Sequence, residues 1–135
     1  MYQIDVKLEF CYAHRLINHK GKCFNLHGHN AVAILSYEAD ELDGNYFVVD
    51  FSDLKAEAKT FIDNQWDHAY LCNESDPFLL MVKEYGLKHY VFSNEPTAER
   101  MAEDLYLQLV DSDFHAGLIC VEIQETCSGS ATYLP

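Results

Sequence analysis

The chain has 135 residues, 49% hydrophobic and 13% aromatic, and carries a formal charge of −13 at pH 7. That length supports one hydrophobic core, and the composition excludes a disordered or low-complexity chain. The acidity argues against a general binder of nucleic acid or anionic membranes, because the protein's field opposes approach to phosphate.

Tyr2, Ile4, Val6, Leu8 and Phe10 alternate with polar residues, the period of a strand with one buried face. Residues 30–40, NAVAILSYEAD, are apolar and β-capable, and LDGNY around Gly44 is a turn, so the first third should hold two long paired strands. In DFSDLKAEAKTFIDNQW, Leu54, Ala58, Phe61 and Ile62 share one helical face, with Asp50 and Asp53 placed to cap its start. Residues 66–73 read as a loop, DPFLLMVKEYG as a short helix ending at Gly86, and KHYVF as a short strand. PTAERMAEDLYLQLV is a second amphipathic helix that buries Ala98, Met101, Ala102, Leu105 and Leu109, with Pro96 and Thr97 at its start. LICVEIQET is a closing strand, followed by a loop and a last extended piece near Tyr133. The pattern predicts an α+β fold, one domain over residues 1–135, with helices on one face of a four-stranded antiparallel sheet.

The longest apolar runs, AVAIL and FLLMV, are too short to span a bilayer, and MYQIDVKLEF lacks the basic start and apolar run of a signal peptide. The expected location is therefore the cytoplasm. Five cysteines, an odd number without C-x-x-C spacing, argue against a disulfide framework there.

The chemistry concentrates in KCFNLHGHN, residues 22–30. His27 and His29 are two apart, so on an extended segment both imidazoles point to one side, and Gly28 between them relaxes the backbone. His14 lies at the end of the first strand and comes close if the two strands pair antiparallel. Three imidazoles with an open fourth position form the pattern of catalytic zinc, whereas structural zinc is closed by four ligands rich in thiolate. Cys23 follows Lys22, and a nearby cation or metal makes its thiolate available as a base or nucleophile; alternatively Cys23 is itself the fourth ligand. Cys120, inside LICVEI, reads as core.

Residues 11–36 contain no Asp or Glu, while Arg15, Lys20 and Lys22 lie there, which suggests either a local electropositive site or a chance cluster. Asp67 and His68 are an adjacent acid and imidazole in a predicted loop, although neighbouring side chains rarely bond each other directly. Glu125 follows an apolar run; it is either a strand end emerging into solvent or an acceptor for the amidine-like edge of a heterocycle.

Taken in order, AHRL at 13–16, KCFNLHGHN, VVDFSDLK at 48–55, WDHAYL, PTAE at 96–99 and ETCSGSATY near the end resemble the 6-pyruvoyl-tetrahydropterin synthase and 6-carboxy-tetrahydropterin synthase family. The resemblance implies a tunnelling fold (T-fold), in which subunits join their sheets into a barrel, usually a hexamer built as a dimer of trimers, with active sites between subunits. It implies that His14, His27 and His29 bind zinc and that Cys23 accepts a proton. Asp67 and His68 would come from a neighbouring subunit and assist with Glu125, which also anchors the pterin, while Thr97 and Glu99 line its pocket. The implied activity is that of a zinc-dependent lyase acting on 7,8-dihydroneopterin triphosphate, a substrate whose anion Arg15, Lys20 and Lys22 would suit.

The spacing C-x-x-x-H-G-H and the ending ETCSGSATY look more like the bacterial carboxy enzyme of queuosine and 7-deazapurine biosynthesis, which releases acetaldehyde and triphosphate, than the pyruvoyl enzyme, which only eliminates triphosphate and rearranges. Departures are Arg100 in place of the usual Asn, Ala31 in place of an aromatic residue, and a longer segment over residues 73–95, which could reshape the substrate mouth. Rival readings are a cupin-like metalloenzyme, which lacks its expected Glu and glycines here, and a non-catalytic zinc-binding oligomer.

Overall fold

A computed structural model describes all 135 residues. The chain forms β1 (Tyr2–His14), β2 (His27–Ala39), α1 (Phe51–Gln65), β3 (Ala69–Asn73), α2 (Phe78–Glu84), β4 (His89–Phe92), α3 (Ala98–Leu109), β5 (Leu118–Thr126) and β6 (Gly129–Tyr133). The strands make one six-stranded sheet in the order β4-β3-β1-β2-β5-β6. The pairs β1–β2, β2–β5 and β5–β6 are antiparallel, whereas β3 is parallel to both β1 and β4.

The α+β expectation therefore holds with a different sheet, mixed and six-stranded where four antiparallel strands were expected. The missed strand is β3, within the stretch read as a loop. Every residue of β3 is buried, because both of its faces are covered, so no polar alternation marks it. Ala69 and Leu71 join the main core, while Tyr70 and Cys72 pack with Val82, Phe78, Leu79 and Ala13 on the reverse face. α2 thus lies across the sheet from α1 and α3. α2 carries the chain back from β3 so that β4 runs parallel to it, while β1 reaches β3 through the antiparallel β2 and then α1.

The core is built from alternating stripes. Val6, Leu8, Phe10 and Tyr12 of β1, Ala31, Ala33, Leu35 and Tyr37 of β2, and Val121 and Ile123 of β5 face α1 and α3. α1 contributes Leu54, Ala58 and Ile62, and its start is capped by Asp50, which accepts from the Ser52 N–H at 2.7 Å. α3 buries all five expected residues and Tyr106 as well, and the Thr97 hydroxyl caps it by accepting from the Arg100 N–H. Cys120 departs from expectation: it points to the other face of β5, half-buried and paired across the sheet with Ser36. Cys72 is the fully buried cysteine.

The loop between β1 and β2, which carries Cys23, is tied down from the 73–95 segment. Arg15 is buried and donates from Nε and Nη2 to the two carboxylate oxygens of Asp76, at 3.0 and 2.8 Å. Its guanidinium lies 3.8 Å from the Phe78 ring centroid and 5.1 Å from that of Phe24, the neighbour of Cys23. Glu95 accepts from the Ile17 and Asn18 N–H groups and from Asn73 Nδ2. Arg15 is therefore engaged in the fold, which removes it from the set of free cations.

Burial alone pushes the Asp76 carboxyl up, but hydrogen bonds from Arg15, the Phe78 N–H and Tyr70 outweigh it and hold the group below the ordinary carboxylate range. A carboxyl depressed on folding stabilises the fold above its unfolded pKa and ceases to do so as pH falls through its folded value. Asp76→Ala strands a buried guanidinium and should cost about 3–5 kcal/mol in urea unfolding at pH 7. Asp76→Asn should flatten the part of the acid destabilisation that the wild type shows below about pH 4.

Candidate active site

The core stripes end in polar residues at one edge of the helix-facing sheet surface. Past Tyr12 on β1 comes His14; past Ala31 on β2 come His29 and His27; past Ile123 on β5 comes Glu125. In the β1–β2 ladder His14 pairs with His27 and Tyr12 with His29, so all four side chains share that face. The three imidazoles offer ligand nitrogens that lie within 4.8 Å of one another. A Cβ on Gly28 would approach the Tyr12 carbonyl oxygen to 3.1 Å, so this glycine permits close strand approach rather than an unusual turn.

Two of the rings are oriented by backbone. His14 Nδ1 donates to the Pro96 carbonyl at 2.8 Å, and His27 Nδ1 donates to the Asn25 carbonyl at 2.7 Å. Those bonds leave each Nε2 with a free lone pair, the arrangement in which a metal-binding histidine is held by its second nitrogen. Burial, together with the neighbouring imidazoles, holds His14 and His29 below the ordinary imidazole pKa despite the Glu125 carboxylate, so both favour the neutral form. Three imidazole nitrogens and no thiolate in the group suit a divalent ion with an open position.

Glu125 Oε1 lies 3.5 Å from His14 Nε2 and 3.8 Å from His29 Nε2. It accepts from the Tyr12 hydroxyl at 2.6 Å, while burial and the Glu125 hydrogen bond push the phenol far above its ordinary pKa and keep it protonated. Tyr12 went unremarked in the sequence, although extending the β1 alternation by one step places it beside His14. Glu125 Oε2 remains an open acceptor.

A cavity of about 750 Å³ opens over this edge. His14, His27, His29 and Glu125 line it together with Lys22, Cys23, Thr97 and Glu99, so eight separately placed residues meet in one hollow. Cys23 stands half-buried on the turn Lys22–Phe24, outside the donor group of the three histidines. No residue of the 73–95 segment lines the cavity; that segment bears on it only through the loop it anchors. Arg100 also lies outside the lining and pairs with Glu103 along its own helix.

Asp67 and His68 are placed elsewhere. They sit between α1 and β3, with Cys11 of β1, whose side chain projects from the sheet face opposite Tyr12 and His14. His68 has φ 58°, and this left-handed turn lets the two adjacent side chains meet: His68 Nδ1 and Asp67 Oδ2 are 2.9 Å apart. The expectation that adjacent side chains do not bond fails at this conformation. Its N–H donates to the Cys11 carbonyl at 2.7 Å, and the Cys11 N–H donates to Asp67 Oδ1 at 3.0 Å. The His68 side chain is 77% exposed and is free to reach beyond its own chain.

Comparison with known proteins agrees with this architecture. Residues 3–135 match the family described as 6-pyruvoyl tetrahydropterin synthase. The 6-carboxy-5,6,7,8-tetrahydropterin synthase of Rickettsia felis is 37% identical over 107 residues, 78% of each chain. The synthase of the same name from Synechocystis is 34% identical over 137 residues, 98% of this chain and 93% of that one. Among solved structures, an uncharacterized protein of Wolinella succinogenes superposes with a TM-score of 0.82 at 24% identity, covering 98% of this chain and 97% of its own. The Caenorhabditis elegans 6-pyruvoyl tetrahydropterin synthase does so at 0.74, also 24% identical, covering 99% and 95%. At that identity the two structures bear on the fold, which they share along its length. No helix is long and apolar enough to cross a membrane. With a family match over almost every residue, the chain belongs to the 6-pyruvoyl tetrahydropterin synthase family.

Proposed function

We propose that this chain is a 6-carboxy-5,6,7,8-tetrahydropterin synthase, converting 7,8-dihydroneopterin triphosphate to 6-carboxytetrahydropterin, acetaldehyde and triphosphate. The observation that carries the reading is three clustered imidazoles, two of them oriented by backbone carbonyls, and a separate thiol, Cys23, opening into one cavity. The names of the sequence relatives favour the carboxy product over the pyruvoyl one.

His14, His27 and His29 would hold a zinc ion, which when bound polarises oxygens of the substrate side chain and acidifies the adjoining C–H and O–H groups. Cys23 takes the proton from that side chain. Glu125 accepts N–H groups from the amidine-like edge of the pterin; Tyr12 steadies one of its oxygens and the other is open to the ligand. Thr97 and Glu99, at the start of α3, border the ring's place, and Lys22 offers its ammonium to the triphosphate. Asp67 and His68 act from a neighbouring subunit of a homo-oligomer, a hexamer in this reading. They stand on the opposite sheet face from their own chain's cavity, with His68 exposed.

Each of His14→Ala, His27→Ala and His29→Ala should take zinc from about one ion per chain to none, read by elemental analysis, with circular dichroism unchanged. Cys23→Ala should keep the metal and the oligomer and lose about 100-fold or more in turnover. Joint loss of metal and stability in that variant would instead make the thiol a structural ligand. The deciding assay incubates purified protein anaerobically with 7,8-dihydroneopterin triphosphate and follows pterins and acetaldehyde by mass spectrometry. Carboxytetrahydropterin with matching acetaldehyde is expected. Pyruvoyltetrahydropterin alone would overturn the carboxy assignment, and no turnover by a zinc-loaded oligomer would leave a metal-binding protein without this chemistry.

A further inference from the structure

Glu95 lies two residues before Thr97, the cap of α3, half-buried and outside the cavity lining. Both oxygens of its carboxylate are engaged. Oε1 accepts from the Ile17 N–H at 3.2 Å and Oε2 from the Asn18 N–H at 3.3 Å, two consecutive backbone donors on one anion. Oε1 also accepts from Nδ2 of Asn73 at 2.9 Å, and Asn73 is buried at the end of β3, so the carboxylate is itself held from the core side. Hydrogen bonds to an ionised acceptor are roughly twice as strong as neutral ones, which makes this the firmest backbone hold on the loop between β1 and β2.

The hold passes to the thiol through the main chain. Leu16, next to Ile17, donates its N–H to the Cys23 carbonyl at 2.9 Å and closes the loop at its neck. The residue after Glu95 serves the imidazoles, since the Pro96 carbonyl accepts from His14 Nδ1 at 2.8 Å. One dipeptide, Glu95–Pro96, therefore grips a ring of the histidine cluster and the root of the segment that carries Cys23. The Arg15–Asp76 pair anchors the same loop by a separate route, so without the Glu95 carboxylate the loop shifts but stays attached.

We infer that Glu95 is a positioning residue that fixes Cys23 in the cavity of the three imidazoles, acting through the Ile17 and Asn18 amides. The inference rests on the reading of Cys23 as the proton acceptor. A neutral amide of the same shape keeps one acceptor oxygen and turns an N–H donor toward the other backbone N–H, so it preserves only part of the grip.

The test compares the zinc-loaded, full-length wild type with Glu95→Ala and Glu95→Gln. Zinc content and oligomer size should match the wild type in both, because the His14 ring is held by the Pro96 carbonyl and not by the Glu95 side chain. Iodoacetamide should modify Cys23 about tenfold faster in Glu95→Ala, located by peptide mass spectrometry, while the fully buried Cys72 stays unmodified. With 7,8-dihydroneopterin triphosphate, kcat should fall about tenfold or more at a KM within about threefold of the wild type, since a displaced base costs proton transfer rather than binding. Glu95→Gln should fall between the two on both scales. Cys23 reactivity or kcat at the wild-type level in Glu95→Ala would overturn the inference. So would loss of zinc, or modification of Cys72 alongside Cys23, which reports a loosened fold. If the wild type does not turn this substrate over, the activity reading alone fails, and the alkylation and zinc measurements still decide whether Glu95 places the thiol.

Discussion

The antiparallel register of β1 against β2 is the constraint on which the rest of the molecule depends. The ladder runs for 13 residues on each strand, pairing Tyr2 with Ala39 at one end and His14 with His27 at the other. Because side chains alternate strictly, one register sends Val6, Leu8, Phe10 and Tyr12 into the core along with Ala31, Ala33, Leu35 and Tyr37. The same register delivers three histidines to one corner. A slip of one residue would turn one of the two stripes toward the opposite face and part His14 from His27 and His29, so core formation and site assembly are a single event.

Around that corner the chain uses backbone and buried ion pairing to hold what side-chain packing cannot. The carbonyls of Pro96 and Asn25 fix two of the rings, and Tyr12 reaches across to Glu125 on β5. The Cys23 loop has little core of its own, since Lys22–Phe24 buries no residue. It is anchored through the Arg15–Asp76 pair, the Phe24 contact with that guanidinium, and the grip of Glu95 on Ile17 and Asn18. The 73–95 segment thus fastens to itself, Asn73 to Glu95, and at the same time holds the loop bearing the thiol.

Much of this was legible in the sequence where one physical rule dominated. Period-two alternation marked β1, helical periodicity marked α1 and α3, and the H-x-H spacing placed His27 and His29 on one side. Legibility failed where the environment was two-sided or the contact long-range. β3 is buried on both faces and shows no alternation; Arg15 looked like a free cation until Asp76, 61 residues away, was brought against it. The meeting of Asp67 with His68 depends on a left-handed backbone at His68, a conformation that histidine favours more than most residues but still adopts in few places, so the sequence does not mark it. Tyr12 was readable in principle, one further step along a stripe already recognised.

We propose that Cys23 and the Asp67–His68 pair, set on opposite faces of one sheet, work together only between chains. The most direct measurement is complementation: inactive Cys23→Ala and His68→Ala chains are unfolded together, reassembled as an equal mixture and assayed for turnover. Sites shared between subunits should regain activity, with about a quarter of them carrying both intact groups in a random assembly. If the mixed oligomers form and remain as inactive as either variant alone, the two groups do not share a site and the account is contradicted.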